Sequence, residues 1–226
     1  MKFENTDVWG FEHAIRGMRN PMNSWERSDT TYGLGEDYLN DMEIGQNDYN
    51  LMARLINGGS EHRKFLRQIF VSVDITAPMY WWSEFDTYKV GTTANSTSKM
   101  HKLAQTPLTI DCFETDDMER HLVWYSTSHN LPWSITATVE TFIVALEDLR
   151  IKYLETKDKK YWKELIRWLP ESWLQTRTIT MNYENLRNMY FQRKNHKLTE
   201  WSESFIKWVE SLPYAKELIM YTGENE

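Results

Sequence analysis

The chain has 226 residues, a hydrophobic share of 41%, an aromatic share of 14% and a net charge of −7. This composition is too apolar for a disordered chain. The acidic balance argues against a broad surface for long nucleic acids, because phosphate contacts need clustered Lys and Arg.

Several classes of protein are excluded by further sequence features. The single Cys112 excludes an internal disulfide and a multi-cysteine zinc site, and it suits a reducing compartment. No run reaches the roughly 18 apolar residues of a membrane span, and the first ten residues lack a signal-peptide core. We therefore expect a cytoplasmic protein without a membrane partner, built as one domain over residues 1–226.

The first half of the chain contains one predicted helix and one predicted strand. The helix covers Tyr49–Ile56, with Asp48 as its N-cap and the glycines after Asn57 as its stop. The strand covers Gln68–Thr76, where apolar residues alternate with polar ones and one face is expected to be buried. Pro78 ends the pattern.

A hydroxyl-rich stretch, GTTANSTS, follows over residues 91–98. Such a loop exposes backbone N–H groups and hydroxyls that can wrap a phosphate, but a polar surface loop has the same composition. Its glycine and lysine spacing is not that of a Walker loop.

The second half is mainly helical, and no metal site is predicted in it. His121 and His129 lack a partner at a metal-ligand spacing. Amphipathic helices are predicted over 136–154 and 161–169, the second ended by Pro170, and a last helix over 198–212. The inner face of the first of these helices is predicted to be formed by Val139, Phe142, Ile143, Leu146, Leu149 and Leu154.

The segment Leu169–Arg193 reads LPESWLQTRTITMNYENLRNMYFQR. In a helix starting at Asn182, eleven residues at about 100° each bring Arg193 to within about 20° of the same face, three turns on. Asn188 falls on a flank of that helix. An amide and a guanidinium so placed can hold the two ends of a planar or phosphate-bearing ligand, although polar residues of a surface helix give the same pattern.

This segment resembles the C-terminal signature of the flavin-dependent thymidylate synthases, LPxxxYTxxxxTxNxRxLxxFLxLR. The same order of residues is found in Leu169, Pro170, Thr176, Thr180, Asn182, Leu186 and Arg193. The resemblance implies that Asn182 and Asn188 contact FAD and that Arg193 is the catalytic residue that holds and polarises the pyrimidine of dUMP. It is strongest over residues 45–212.

The central motif of that family, RHRxxSxNExSxR, falls on the hydroxyl-rich stretch. Its Asn matches Asn95 and its second Ser matches Ser98, while its Glu falls on Ser96 and its Arg-His-Arg on Tyr88-Lys89-Val90. The resemblance implies that Lys89 contacts the cofactor and that Asn95, Ser96, Ser98 and Lys99 contact the substrate. The motif is therefore degenerate, because one Lys replaces three basic positions and a bidentate Arg is not replaced by Tyr or Val.

Two more positions are carried over from the family with shifts in spacing. A Glu-His pair before the strand matches Glu61-His62 and implies a cofactor contact for His62. A ligand-contacting Arg before the Leu-Pro step matches Arg167, one position out of step, and implies a substrate contact.

The resemblance implies an α+β fold, with a twisted, mostly antiparallel sheet flanked by helices, in a homotetramer with sites between subunits. It implies a flavoprotein of nucleotide biosynthesis, a methyltransferase that converts dUMP to dTMP with FAD, NADPH and methylene-tetrahydrofolate. The degenerate motif leaves a second function open, an inactive protein that binds or sequesters a nucleotide on the same scaffold. An interaction protein whose 11 Trp residues build an oligomer interface is a third.

Overall fold

The computed structural model describes residues 1–33, 42–116, 118, 123–125 and 132–223. The chain forms two compact units. The sheet unit comprises Lys2–Ile75, Phe85–Asn95 and Arg177–Glu226, and the helical unit comprises Met1, Thr76–Glu84 and Ser96–Thr176.

The sheet unit contains most residues of the four strands of the main sheet, together with the helices that follow β1 and β6. In chain order these elements are β1 (Lys2–Trp9), α1 (Phe11–Arg19), α2 (Gln46–Asn57), β2 (Phe70–Pro78), β3 (Thr93–Ser96), β6 (Leu174–Asn182), α7 (Tyr183–Arg193), α8 (Ile206–Glu210) and α9 (Ala215–Leu218). A π-helix, Glu200–Phe205, leads into α8.

The helical unit contains the remaining elements. They are α3 (Met79–Phe85), α4 (Lys99–Lys102), β4 (Val123–Tyr125), β5 (Pro132–Ser134), α5 (Ile135–Thr156) and α6 (Lys159–Trp168). Strands β4 and β5 form an antiparallel pair in which Trp124 lies opposite Trp133.

The main sheet has four strands in the order β1-β2-β6-β3. Thr76 Oγ1 lies 2.7 Å from Thr176 Oγ1, and Thr178 Oγ1 donates to Asp74 Oδ1 at 2.5 Å. A step of two residues along β2 thus matches a step of two residues backwards along β6, so these strands are antiparallel.

Strands β1 and β2 are antiparallel as well. Between β1 and β2, Asn5 Nδ2 donates to Asp74 Oδ2 at 2.8 Å, and the ring of Trp9 stacks on Phe70. The expected α+β fold with an antiparallel sheet and helices is therefore confirmed.

The alternation predicted for β2 is also confirmed, with the strand shifted two residues towards its C-terminus. Ile69, Val71, Val73 and Ile75 are fully buried, as expected for one face of a half-buried strand.

Helix α2 begins three residues earlier than predicted, and Asp48 is not its N-cap. The Asp29 carboxylate accepts from the backbone N–H groups of Asn47 and Asp48 at 2.9 and 3.1 Å, so a side chain from another segment satisfies this helix end. Asp48 instead lies in the first turn, fully buried, and forms an ion pair with Arg19 at 2.6 Å.

In the helical unit, α5 and α6 pack on a common core. Its buried members are Leu103, Leu108, Phe113, Ile143, Leu146 and Leu165. Phe142 and Leu154 were predicted for the inner face of α5 but are more than a third exposed. The buried Arg150 takes part of that face, where its guanidinium donates to Ala104 O at 3.0 Å and to Glu147.

The C-terminal segment departs from the single predicted helix over 198–212. The π-helix and α8 cover its centre, and α9 follows after Pro213. The predicted apolar side is nevertheless buried: Trp201, Phe205, Trp208 and Val209 are all 7% exposed or less.

Candidate functional site

Helix α7 begins with a reciprocal cap. Asn182 has an extended backbone (φ −128°), its side chain accepts from the N–H of Asn185 at 3.0 Å, and the Asn185 side chain accepts from the N–H of Asn182 at 3.2 Å. Because the helix starts at Tyr183, the angular estimate from a helix beginning at Asn182 does not apply. The side-chain oxygen of Asn182, Oδ1, is therefore used by the cap.

The start of α7 is tied to the turn before β3. Asn185 Nδ2 donates to the carbonyl oxygen of Val90 at 2.8 Å. Gly91 has φ +77°, and a Cβ there would lie 3.0 Å from Asn185 Oδ1 and 3.2 Å from Asn182 Nδ2. The backbone conformation of this position therefore favours glycine, and a Cβ there would also force the neighbouring side-chain amides to move.

Arg193, the predicted catalytic residue, is held at the other end of α7 by two aromatic side chains. Its Nε donates to the Tyr88 hydroxyl at 2.8 Å, and that hydroxyl donates to Gln192 Oε1 at 2.9 Å. The guanidinium carbon lies 5.4 Å from the ring centroid of Tyr88 and 4.7 Å from that of Trp201, within the range of cation–π attraction. We call Tyr88, Arg193 and Trp201 the arginine clamp.

The π-helix Glu200–Phe205 presents Trp201 to the clamp. Trp201 is fully buried, and its ring is parallel to that of Phe85 at 6.5 Å and edge-on to that of Phe205 at 5.0 Å. π-helical turns are rare and are frequent at functional sites. The rigid support of Trp201 means that the clamp has one fixed wall.

A cavity of about 270 Å³ adjoins the clamp through Tyr88. It is lined by Phe85, Asp86, Tyr88, Lys89, Thr92 and Ala94. Asp86 is paired with Arg177 at 2.7 Å, whereas Lys89 is exposed. The volume lies just below that of sites for drug-sized ligands, so the cavity has room for one ring or one phosphate rather than a whole dinucleotide.

Buried charges support α7 on its other side. Glu184 is 6% exposed and accepts from Arg63 Nε at 2.8 Å. Arg187 is also buried, and its guanidinium donates to Ile219 O at 2.7 Å. Burial lowers the pKa of Arg187, and the nearby charge of Arg63 lowers it further. These contacts fix the helix and do not line the cavity.

The other residues predicted to bind the cofactor lie on the surface. Asn188 is exposed on α7. His62 is exposed at the start of the 3-10 helix Arg63–Gln68, where its ring lies against Gly58. Their proposed cofactor contacts, like that of Lys89, stay predictions.

The predicted substrate residues are divided between the two units. Asn95 belongs to the sheet unit, whereas Ser96, Ser98, Lys99 and Arg167 belong to the helical unit.

Part of the expected hydroxyl-rich loop is a strand, because Thr93–Ser96 forms β3. Asn95 and Ser96 are exposed there. Ser98 caps α4 by accepting from the N–H of His101 at 3.3 Å, and the Lys99 ammonium lies 6.0 Å from the ring centroid of Trp173. Arg167 is 49% exposed and pairs with Glu164.

Three residues of the site were missed from the sequence, namely Tyr88, Asn185 and Trp201. The spacing of Asn182 and Asn185 is that of a reciprocal cap and was a usable signal. At Tyr88 the sequence shows only a departure from the family motif. The contact of Trp201 with Arg193 left no signal in the sequence spacing.

No cluster of His, Cys, Asp and Glu that could hold a metal ion occurs among the residues the structure describes. His121 and His129 lie outside those residues. Within the same described part of the chain, no helix is long and apolar enough to cross a membrane.

Comparison with known proteins gives a likeness of fold. No protein-family model matches the chain, and no curated protein matches it. Two solved structures of the flavin-dependent thymidylate synthase ThyX from Helicobacter pylori, both with FAD and dUMP, match with a TM-score of 0.64 and 18% identity. The match covers 97% of this chain and 98% or 97% of those chains, so the chain has a fold like that of ThyX along nearly its whole length.

Proposed function

We propose that the chain binds FAD and the pyrimidine nucleotide dUMP, and that it is a divergent flavin-dependent thymidylate synthase that converts dUMP to dTMP. The observation that carries this proposal is the arginine clamp. A guanidinium is held against Tyr88, which lines a small cavity, on a fold like that of proteins whose structures hold FAD and dUMP.

The residues present fit FAD with fewer charges than the family motif provides. Lys89 offers an exposed ammonium at the cavity and Asn188 an exposed amide, so these two would each hold part of the cofactor, of which the cavity takes one ring or one phosphate. Asn182 offers only its amide nitrogen, because its oxygen caps α7. When bound, the flavin supplies the redox and one-carbon transfer chemistry, with NADPH and methylene-tetrahydrofolate as co-substrates.

In this proposal, Arg193 binds the pyrimidine and stabilises negative charge on its carbonyl oxygen. Donors held in place before the reaction stabilise such charge without reorganising, and the Tyr88 hydroxyl and two rings hold Arg193 in that way. Asn95, Ser96, Ser98, Lys99 and Arg167 would bind the rest of the nucleotide. Hydroxyls and amides donate to phosphate oxygens, and the ammonium of Lys99 has the opposite charge to the phosphate.

The second candidate function is an inactive protein that binds or sequesters a nucleotide. The segment Tyr88-Lys89-Val90 favours it, because Val90 is 88% exposed and carries no charge where the family motif has an Arg. Each missing charged hydrogen bond costs about 1.5–3 kcal/mol, or about ten- to a hundredfold in affinity.

The purified protein separates these candidates. Bound flavin gives a visible absorption band, dUMP binding is measured by calorimetry, and dTMP formation is followed by mass spectrometry with both co-substrates present. Flavin and dTMP together support the enzyme, whereas dUMP binding without flavin supports the sequestering protein. If neither ligand binds, both proposals fail.

Arg193→Ala tests the residue assigned to the pyrimidine. We expect dUMP affinity to fall at least about tenfold, because a charged hydrogen bond is lost, while circular dichroism remains native. Arg16→Ala is the matched control, since Arg16 is exposed on α1. Equal dUMP affinity in the two variants would remove Arg193 from the site.

We further propose that residues 1–226 act as one cytoplasmic domain and assemble into homotetramers with sites between subunits. The near-complete coverage of the ThyX chains supports a single domain. Light scattering after size-exclusion chromatography measures the number of subunits, and a monomer at micromolar concentration would contradict the shared sites.

A further inference from the structure

We infer that Tyr88 is a positioning residue for Arg193, and that its hydroxyl fixes the direction in which the guanidinium meets the pyrimidine. This inference rests on the proposed function, and it adds a role that the family motif does not contain, since the motif has an Arg at this position.

The hydrogen bonds of Tyr88 define the orientation of its phenol. The hydroxyl accepts from Arg193 Nε at 2.8 Å and donates to Gln192 Oε1 at 2.9 Å. Because the hydroxyl accepts one hydrogen bond and donates another, rotation of its O–H bond would break the bond to Gln192. The adjacent side chain on α7 thereby sets the hydroxyl, and the hydroxyl sets Arg193.

The two rings of the clamp restrict the guanidinium further. Tyr88 and Trp201 are 6.3 Å apart in an edge-on arrangement, and each lies within 5.4 Å of the guanidinium carbon. The rings alone attract the cation without choosing its rotation, because cation–π attraction depends mainly on the position of the charge over the ring face. The hydrogen bond from Nε to Tyr88 is directional and therefore constrains that rotation.

Of the three clamp residues, Tyr88 lines the cavity. It does so with Lys89, and both Tyr88 and Arg193 are partly exposed, whereas Trp201 is fully buried. A neutral phenol at position 88 also lets a cation sit against it, whereas an Arg there would place a like charge within a few ångströms of Arg193. Tyrosine thus holds Arg193 without placing a second positive charge beside it.

Tyr88→Phe is the decisive variant, because it keeps the ring and removes only the hydroxyl. We expect dUMP affinity to fall about tenfold, the loss of one hydrogen bond to a charged group, with the melting temperature close to that of the wild type. In the Arg193→Ala background the same change should cause no further loss. Tyr153→Phe removes a hydroxyl from α5 and is the matched control.

A second readout needs no ligand. Arginine Nε–H groups give separate signals in ¹⁵N NMR, and the signal of Arg193 is assigned from its absence in Arg193→Lys. In Tyr88→Phe this proton should exchange with water faster than in the wild type, because its acceptor has been removed.

The two readouts separate the possible failures. Wild-type affinity in Tyr88→Phe, or an equal further loss in the Arg193→Ala background, overturns the positioning role. An unchanged Nε–H exchange rate overturns the coupling of Tyr88 to Arg193. If the wild type binds no dUMP, the proposed function fails, and the exchange rate still shows whether Tyr88 orients Arg193.

Discussion

Replacing Asp48 by Asn should destabilise the protein strongly, although the change removes no carbon atom. Asp48 is fully buried, and its Oδ1 accepts from Arg19 Nε at 2.6 Å. Its Oδ2 accepts four donors, the hydroxyl of Ser28, the N–H of Asp29, and the N–H and hydroxyl of Thr30, at 2.7–3.1 Å. Each of these five partners is thus a donor.

The magnitude follows from this arrangement of donors. An amide cannot accept at both positions, so its NH₂ group faces either the guanidinium or the four donors of the 28–30 segment. Removing one partner of a buried ion pair costs about 3–5 kcal/mol, because the other charge remains buried without compensation. This cost is a large part of the 5–15 kcal/mol by which native proteins are stable.

Urea unfolding followed by tryptophan fluorescence measures the loss. With a denaturant slope of about 3 kcal/mol per molar, the midpoint of Asp48→Asn should fall by at least about 1 M. Asp7→Asn, an equal charge change at an exposed position of β1, should leave the midpoint nearly unchanged. Equal midpoints for the two variants would refute the view that this carboxylate holds the 28–30 segment on α2.

Two further predictions follow from the same structure. Burial raises the pKa of Asp48, but hydrogen bonds from Thr30, Ser28 and Arg19 outweigh burial and lower the pKa below its ordinary value. The contribution of Asp48 to stability should therefore be complete above about pH 4, the pKa in the unfolded chain, and be lost as the pH falls through the lower pKa of the folded chain. Urea midpoints of the wild type that do not fall below about pH 4, or that fall equally in Asp48→Asn, would contradict this. Asn182→Ala should cost about 1 kcal/mol through loss of the cap on α7, measured as a urea midpoint, whereas the exposed Asn188→Ala should cost almost nothing.

The parts of the fold with strong periodicity could be predicted from the sequence. The alternation of β2 identified its buried face, because Ile69, Val71, Val73 and Ile75 point one way in any extended chain. Pro170 marked the end of α6 for a similarly local reason.

Strands β1, β3 and β6 were missed because their stabilisation is not local. On β6 the inward positions include Gln175, which is buried but polar, since its amide donates to Thr97 O at 2.8 Å. A hydrogen bond to another segment thus allows a polar side chain to be buried, although a hydrophobicity pattern would place it on the surface. Strand β3 is only four residues long, too short for alternation to distinguish it from a loop.

The candidate site was predicted only in part. Arg193 was identified through the family motif, but its partner Tyr88 lies 105 residues earlier in the chain, and no spacing rule connects the two. The cap that Asn182 forms was not predicted, for a different reason. A residue that ends an extended strand and caps the following helix uses its amide locally, so its face cannot be computed from helical geometry.

The hydrogen bond from Trp208 to Thr6, across 202 residues of sequence, has a consequence for biosynthesis. Strand β1 leaves the ribosome long before the segment that carries Trp208 is translated, so this contact must wait while most of the chain is made. Contacts of such separation make folding slow. Until Trp208 is translated, the ring of Phe3 and the hydroxyl of Thr6 on β1 therefore lack their native partner.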